Sequence, residues 1–272
     1  MIKQSIVAGT FYPKEKAALV KVLGDFFEKA KGTNHLHEHK RLFAIVVPHA
    51  GYVFSGQTAA DIYSIAMKYD YKNAVIVTPS HYSNNIDFFV GKYDAYETPL
   101  GITYTNKEMV NKLLSKKGFY FDQMVDLREH SLDVHIPFLQ YINPMLQILP
   151  IIFVKQNISN AKLLSGILKE FLNNETLLII STDLSHFHKS TVAEEKDKLL
   201  IENIRNFDLE ALLENLAQNK IEACGIGGIM TLLHLLKSYE SVEIGNIKYT
   251  HSGYTSKDFK QVVGYFSCGF YI

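Results

Sequence analysis

Four stretches of nearly unbroken apolar, largely β-branched residues constrain this chain more than any other feature: LFAIVV at 42–47, AVIVT at 74–78, LQILPIIFV at 146–154 and LLIIS at 177–181. A strand with one wet face alternates apolar and polar residues. Runs without that alternation suit strands of a sheet covered on both faces, as in α/β folds. Helical periodicity occupies 56–69, 158–172, 191–219 and 227–239, with the third stretch broken near Asn206 to Asp208 into two helices. Strands and helices in alternation indicate an α/β sandwich. Two later segments, 242–251 and 261–272, alternate in polarity and read as antiparallel strands at a sheet edge, so the central sheet should be mixed. No internal repeat, Pro-rich linker or low-complexity block interrupts the 272 residues, and 1–272 reads as a single domain.

Charge narrows the range of partners. Lys+Arg 28 against Asp+Glu 28 leaves a formal net charge of +0, which offers no electrostatic footprint for nucleic acid or an anionic membrane. Residues 1–30 lack a basic segment followed by an apolar one, and no apolar run reaches the roughly 20 residues that span a bilayer. Two cysteines far apart, Cys224 and Cys268, are the usage of a reducing compartment, and a cytoplasmic location is expected. The 11 histidines stand out, although His35, His37 and His39 fall in the polar stretch KGTNHLHEHK and read as a solvated loop.

The remaining histidines are placed informatively. His49 in VVPHAG and His81 in VTPSHYS each follow a strand closed by proline, and Asp183 and His186 in STDLSHF follow another strand. Open α/β sheets bind ligands beyond the carboxyl ends of their strands, so these groups converge on one rim. Cys224, in ACGIGG, sits where a loop enters a helix, with glycines that permit close backbone approach. A histidine after a strand is also an ordinary turn residue, and a cysteine at a helix start is also a small buried hydrophobe. Imidazole and thiolate ligands suit iron, copper or zinc and not magnesium or calcium. In REHSLDVHIPFL, His130 and His135 are five apart, which is not the i, i+4 pairing of a helical zinc site. His130 is a candidate to reach the pocket, whereas His135 reads as buried and hydrogen-bonded to backbone. GxSxG, GxxxxGK[ST] and GxGxxG after a strand are all absent, which argues against serine hydrolases and nucleotide-binding folds.

GTFYP, PHAGYVFSG, TPSHYS, EHSLDVHIPFL, STDLSHF and the late Cys-Gly step occur in the order seen in the Memo (mediator of cell motility) family, and the chain resembles that family nearly end to end. The resemblance implies the architecture of class III extradiol dioxygenases, as a single Memo-like domain. It implies metal ligands at His49, His81 and Cys224, holding iron or copper ahead of zinc, with Asp183 and His186 lining the same pocket; as candidate catalytic groups, Asp183 would orient an imidazole and His186 would act as general acid or base. A cysteine where extradiol enzymes carry a carboxylate argues against ordinary catechol cleavage. Some members carry Arg-His after the Cys-Gly step, where this chain has Ile226 and Gly227. The expected function is that of a metal-dependent redox protein or oxidoreductase. Two alternatives are an extradiol-type dioxygenase acting on an aromatic diol and a non-catalytic peptide- or protein-binding module. In the module, His49 and His81 would be hydrogen-bond donors in a cleft lined by Tyr12 and Tyr52; Ser80 and His130 are further pocket candidates. Bacterial and archaeal members are associated with a radical SAM protein, which the resemblance implies as a partner beside a small-molecule or peptide ligand.

Overall fold

A computed structural model describes residues 1–31, 40–82, 86–121 and 128–272, so His35, His37 and His39 lie outside the described residues. The four apolar runs form the centre of a mixed sheet: β2 (Leu42–Val47), β3 (Asn73–Pro79), β8 (Gln147–Phe153) and β9 (Thr176–Ser181). All four are parallel, in the spatial order β2-β9-β3-β8. Successive side chains point to opposite faces, and both faces are covered. Leu177 and Ile179 join Ile45 and Ile76 in one core, while Leu178 and Ile180 join Val46, Val75 and Val77 in the other. This explains the missing alternation: every position on these strands except the opening Asn73 and Gln147 is buried, each large aliphatic contributing about 1.5–3 kcal/mol.

Helices α1 (Lys16–Ala30), α2 (Tyr52–Ala66) and α4 (Ile136–Ile142) cover one face, and α5 (Ile158–Leu168), α6 (Ser190–Arg205), α7 (Leu209–Ala217) and α8 (Ile226–Leu236) cover the other. Helix α3 (Lys107–Leu114) packs near the far edge, and Asn106 caps it by accepting from the Met109 N–H. The expected break between α6 and α7 is real: Phe207 has φ +55°, and Asp208 caps α7 by accepting from the Ala211 N–H. β12 (Val262–Tyr271) pairs antiparallel with β2, and β11 (Glu243–His251) pairs antiparallel with β12. Of these two late strands only β11 is at an edge, because β12 lies between it and β2. The short strands β10 (His186–His188), β4 (Phe88–Val90) and β7 (Phe119–Tyr120) extend the sheet.

A separate three-stranded sheet joins β1 (Ile2–Gln4), β5 (Ala95–Thr98) and β6 (Gly101–Tyr104). From β1 the Lys3 side chain runs inward, its Nζ 3.4 Å from Asp133 Oδ1 and donating to the Glu129 carbonyl at 3.2 Å. Both charged side chains are almost wholly buried, so the ion pair fastens the chain's first strand to the segment carrying Glu129 and His130. The short helix α9 (Gly253–Ser256) leads out of β11, and none of the described helices is long and apolar enough to cross a membrane.

Candidate metal centre

Neighbouring strand ends build the site. β2 ends at Val47 and delivers His49, β9 ends at Ser181 and delivers Asp183, and β3 ends at Pro79 and delivers His81. The Thr182 N–H donates to the Val47 carbonyl at 3.0 Å, tying two of these ends together. Among the described residues, one group of three side chains offers ligand atoms all within 4.8 Å of one another: His49, His81 and His130. The rings confirm the convergence, with centroids 5.5 Å apart for His49 and His81, 4.6 Å for His81 and His130, and 6.1 Å for His49 and His130. Their side chains rise from core to solvent, at 3%, 19% and 29% exposure for His49, His130 and His81.

Two of the three rings are fixed by a second group. His49 Nδ1 lies 2.7 Å from Ser181 Oγ, and His81 Nδ1 lies 2.9 Å from Glu129 Oε1. Buried Glu129 also accepts from the backbone N–H of His81 at 2.7 Å and from those of His130 and Ser131 at 3.0 Å each. One carboxylate thus anchors two of the three histidines. Burial alone would raise its pKa, but the His81 imidazole and these N–H donors hold it down at about 2. Burial pulls the His81 pKa down, and the Glu129 hydrogen bond and charge outweigh it, leaving His81 above its ordinary value. His49 is pushed well below its ordinary value, first by burial and then by His81, and burial lowers His130 as well.

Cys224 sits on the other side of His49. Its Sγ lies 3.4 Å from His49 Nε2 and accepts from the Asp183 N–H at 3.1 Å. The loop is seated by the Cys224 N–H donating to the Asp183 carbonyl and the Gly225 N–H donating to Thr182 Oγ1. A Cβ at Gly225 would stand 2.2 Å from the Ser181 carbonyl oxygen, so only glycine lets the sulfur come this close. Burial and the Asp183 carboxylate push the Cys224 thiol above its ordinary pKa. Asp183 itself, raised by burial to about 6, accepts from the His49 backbone N–H at 2.9 Å and places Oδ2 4.0 Å from His49 Nε2. His186 acts on Asp183 electrostatically, and its backbone N–H donates to Glu222 at 2.7 Å. The structure therefore brings His49, His81, Cys224, Asp183 and His186 into one neighbourhood, and places His130 inside the donor cluster.

The description of the Memo-like protein family matches residues 3–268. A "MEMO1 family protein" of Ignicoccus hospitalis is 34% identical over 97% of both chains, and one of Thermotoga maritima is 34% identical over 98% of this chain and 99% of its own. This chain belongs to the Memo-like family. Another such protein, from Aquifex aeolicus, is 33% identical over 97% of both chains. Among solved structures, an uncharacterized protein of Escherichia coli K12 aligns with 83% of this chain and 99% of its own, at a TM-score of 0.47 and 11% identity.

In this Memo-like chain the hydroxyls of Tyr12 and Tyr52 are engaged within the protein. Tyr12 pairs its hydroxyl with Ser5 at 2.6 Å, and Tyr52 donates its own to the Val134 carbonyl at 2.9 Å. Their rings instead help line a cleft of about 530 Å³ with Phe11 and Phe26, and Phe11 lies 5.0 Å from the His130 ring. Ser80 precedes His81, with its N–H donating to the Phe153 carbonyl at 3.2 Å. The Gly227 departure has a local reason: a Cβ there would meet Phe153 and Gln156 within 2.9 Å, so a larger residue requires both to move.

His135 is buried as expected, but its ring bonds are not to backbone. Nε2 lies 2.6 Å from Ser181 Oγ and Nδ1 lies 3.0 Å from the Tyr63 hydroxyl. Sequence reasoning did not single out Glu129 as part of the site. Its signal was its place directly before His130, since metal-site histidines are so often oriented by a carboxylate.

Proposed function

We propose that this Memo-like protein is a redox-active metal protein, an oxidoreductase holding iron or copper in preference to zinc. His49, His81 and His130 would hold the ion, and Cys224 would join them as a thiolate. The observation that carries this reading is the locking of two imidazoles from behind. Ser181 and Glu129 engage the Nδ1 atoms of His49 and His81, which leaves Nε2 of each as the nitrogen to offer, an arrangement characteristic of ligating histidines. His49 and His130, held below their ordinary pKa values, are neutral near pH 7, as ligation requires. A bound ion would supply Lewis-acid polarisation and electron transfer at its open positions. Asp183, with a pKa of about 6 and within 4.0 Å of His49 Nε2, is suited to hold or release a proton there near neutrality, with His186 beside it.

Protein purified without an affinity tag should contain near-stoichiometric iron or copper by elemental analysis, or take it up under anaerobic conditions. Lack of any first-row metal together with lack of uptake would sink the reading. Loaded protein can then be assayed for oxygen consumption against a catechol panel.

The pH dependence of zinc affinity separates the donors. An ion replaces the proton that Glu129 helps His81 retain, so affinity should fall about tenfold per pH unit below the raised His81 value. A Cys224 thiolate adds the loss of a thiol proton at every pH below its own raised value. Wild-type affinity should therefore keep rising with pH above the His81 transition, about tenfold per unit, and Cys224→Ser should abolish that rise. A wild-type affinity that is flat there would remove Cys224 and leave the three imidazoles.

A further inference from the structure

Behind His49 runs a closed chain of four buried groups that the metal reading alone does not use. His49 Nδ1 lies 2.7 Å from Ser181 Oγ, Ser181 Oγ 2.6 Å from His135 Nε2, and His135 Nδ1 3.0 Å from the Tyr63 hydroxyl. None of the four residues is more than 2% exposed, and among the described residues the Tyr63 hydroxyl has no partner except His135. Both imidazoles are almost wholly buried, and burial favours the uncharged ring with one proton.

Three hydrogen bonds among four such groups can be arranged in two directions only. In the first, Tyr63 donates to His135 Nδ1, His135 Nε2–H donates to Ser181, and Ser181 donates to His49 Nδ1. His49 then carries its proton on Nε2, facing the Cys224 sulfur 3.4 Å away. Every proton in this arrangement has an acceptor. In the second, all three bonds reverse, and His49 Nε2 is freed as a lone pair. His135 Nδ1–H now donates to the Tyr63 oxygen, and the hydroxyl's own proton is stranded in the core.

We infer that Tyr63 is a positioning residue that sets the tautomer of His49 through His135 and Ser181, biasing the metal-free protein against offering Nε2 and thereby weakening metal capture. The inference rests on the metal reading above. No group changes its net protonation; each keeps one proton, and only the direction of the chain inverts. A buried hydroxyl left unpaired is unfavourable, so removing it should tighten zinc binding about tenfold. Tyr63→Phe keeps the ring stacked on Phe138, with centroids 4.9 Å apart, and leaves His135 Nδ1 unpaired in both directions, so the satisfied arrangement that favours the first direction is lost.

The experiment uses the full chain with zinc alone as probe. Long-range ¹H–¹⁵N spectra of histidine-labelled wild type should show His49 and His135 protonated on Nε2 without metal and on Nδ1 with zinc. Competition with a chromophoric chelator should give Tyr63→Phe a zinc Kd about tenfold lower than wild type. Tyr71→Phe, which removes another buried hydroxyl bonded to the Leu42 carbonyl, should leave Kd unchanged. His49 protonated on Nδ1 before zinc is added, or a Tyr63→Phe Kd equal to or above wild type, overturns the inference while the metal reading stands. Failure of wild type to bind zinc, iron or copper overturns both. The wild-type spectra decide the matter even if Tyr63→Phe fails to fold.

Discussion

Glu129→Ala should lower zinc affinity by about 10- to 100-fold, the usual consequence of losing the group that orients a ligating histidine. The effect should reach the upper end, because this carboxylate serves two candidate ligands at once. It holds the His81 ring through Nδ1 and fixes the backbone on which His130 stands. Stability should fall as well. The change orphans the backbone N–H groups of His81, His130 and Ser131, and an unsatisfied buried donor costs about 1–3 kcal/mol. Chelator competition reads the first effect and thermal unfolding of the metal-free protein reads the second. A variant with wild-type zinc affinity would show that Glu129 supports the loop and not the site. Glu129→Gln should keep part of the packing yet lose the charge that raises His81, so its zinc affinity should begin to fall at a lower pH than that of wild type.

Asp133→Ala is expected to be the most destabilising single change at a position outside the donor set. Asp133 and Lys3 are both buried to within 2% exposure, and Asp133 Oδ2 also accepts from the Ile6 N–H at 3.0 Å. Removing one partner of a buried pair typically costs about 3–5 kcal/mol, because the buried ammonium loses a carboxylate that offsets its desolvation. In a chain of this size that corresponds to a drop in Tm of roughly 10 °C. The double variant Lys3→Met, Asp133→Leu should recover much of the loss, since apolar replacement of the whole pair is often near neutral. Calorimetry of the three proteins tests this, and a double variant as unstable as Asp133→Ala would show that the lost contact with Ile6 matters more than the broken ion pair.

Much of the frame was legible because its signal is local. Four unbroken apolar runs announce doubly covered strands, and the prolines before His49 and His81 mark where those strands stop. The rim followed from strand order alone. Helix α1 was equally visible, since Leu19, Leu23 and Phe27 recur at helical spacing, although the stretch was not read as a helix. What could not be read is non-local. Nothing within the sequence window around Lys3 points to Asp133, 130 residues away, and β1 finds its partner in β5. His130 and Cys224 show the same limit: each was a candidate in the sequence, but only the fold shows that they flank His49. His135 exposes a subtler one, because burial was inferable from its apolar surroundings but the identity of its partners, Ser181 and Tyr63, was not.

The strand order also dictates when the site comes into being. β2 and β3, which carry His49 and His81, do not touch; β9 lies between them, with Val46 registered against Ile180 and Val77 against Ile180 from the other side. A slip of one residue on either side would turn the strand's side chains to the wrong face. During synthesis the two histidines emerge early, but the strands that carry them share no partner strand until residue 181 has left the ribosome, and Cys224 comes later still. Any ion the site takes is therefore expected to enter the finished fold and not the nascent chain.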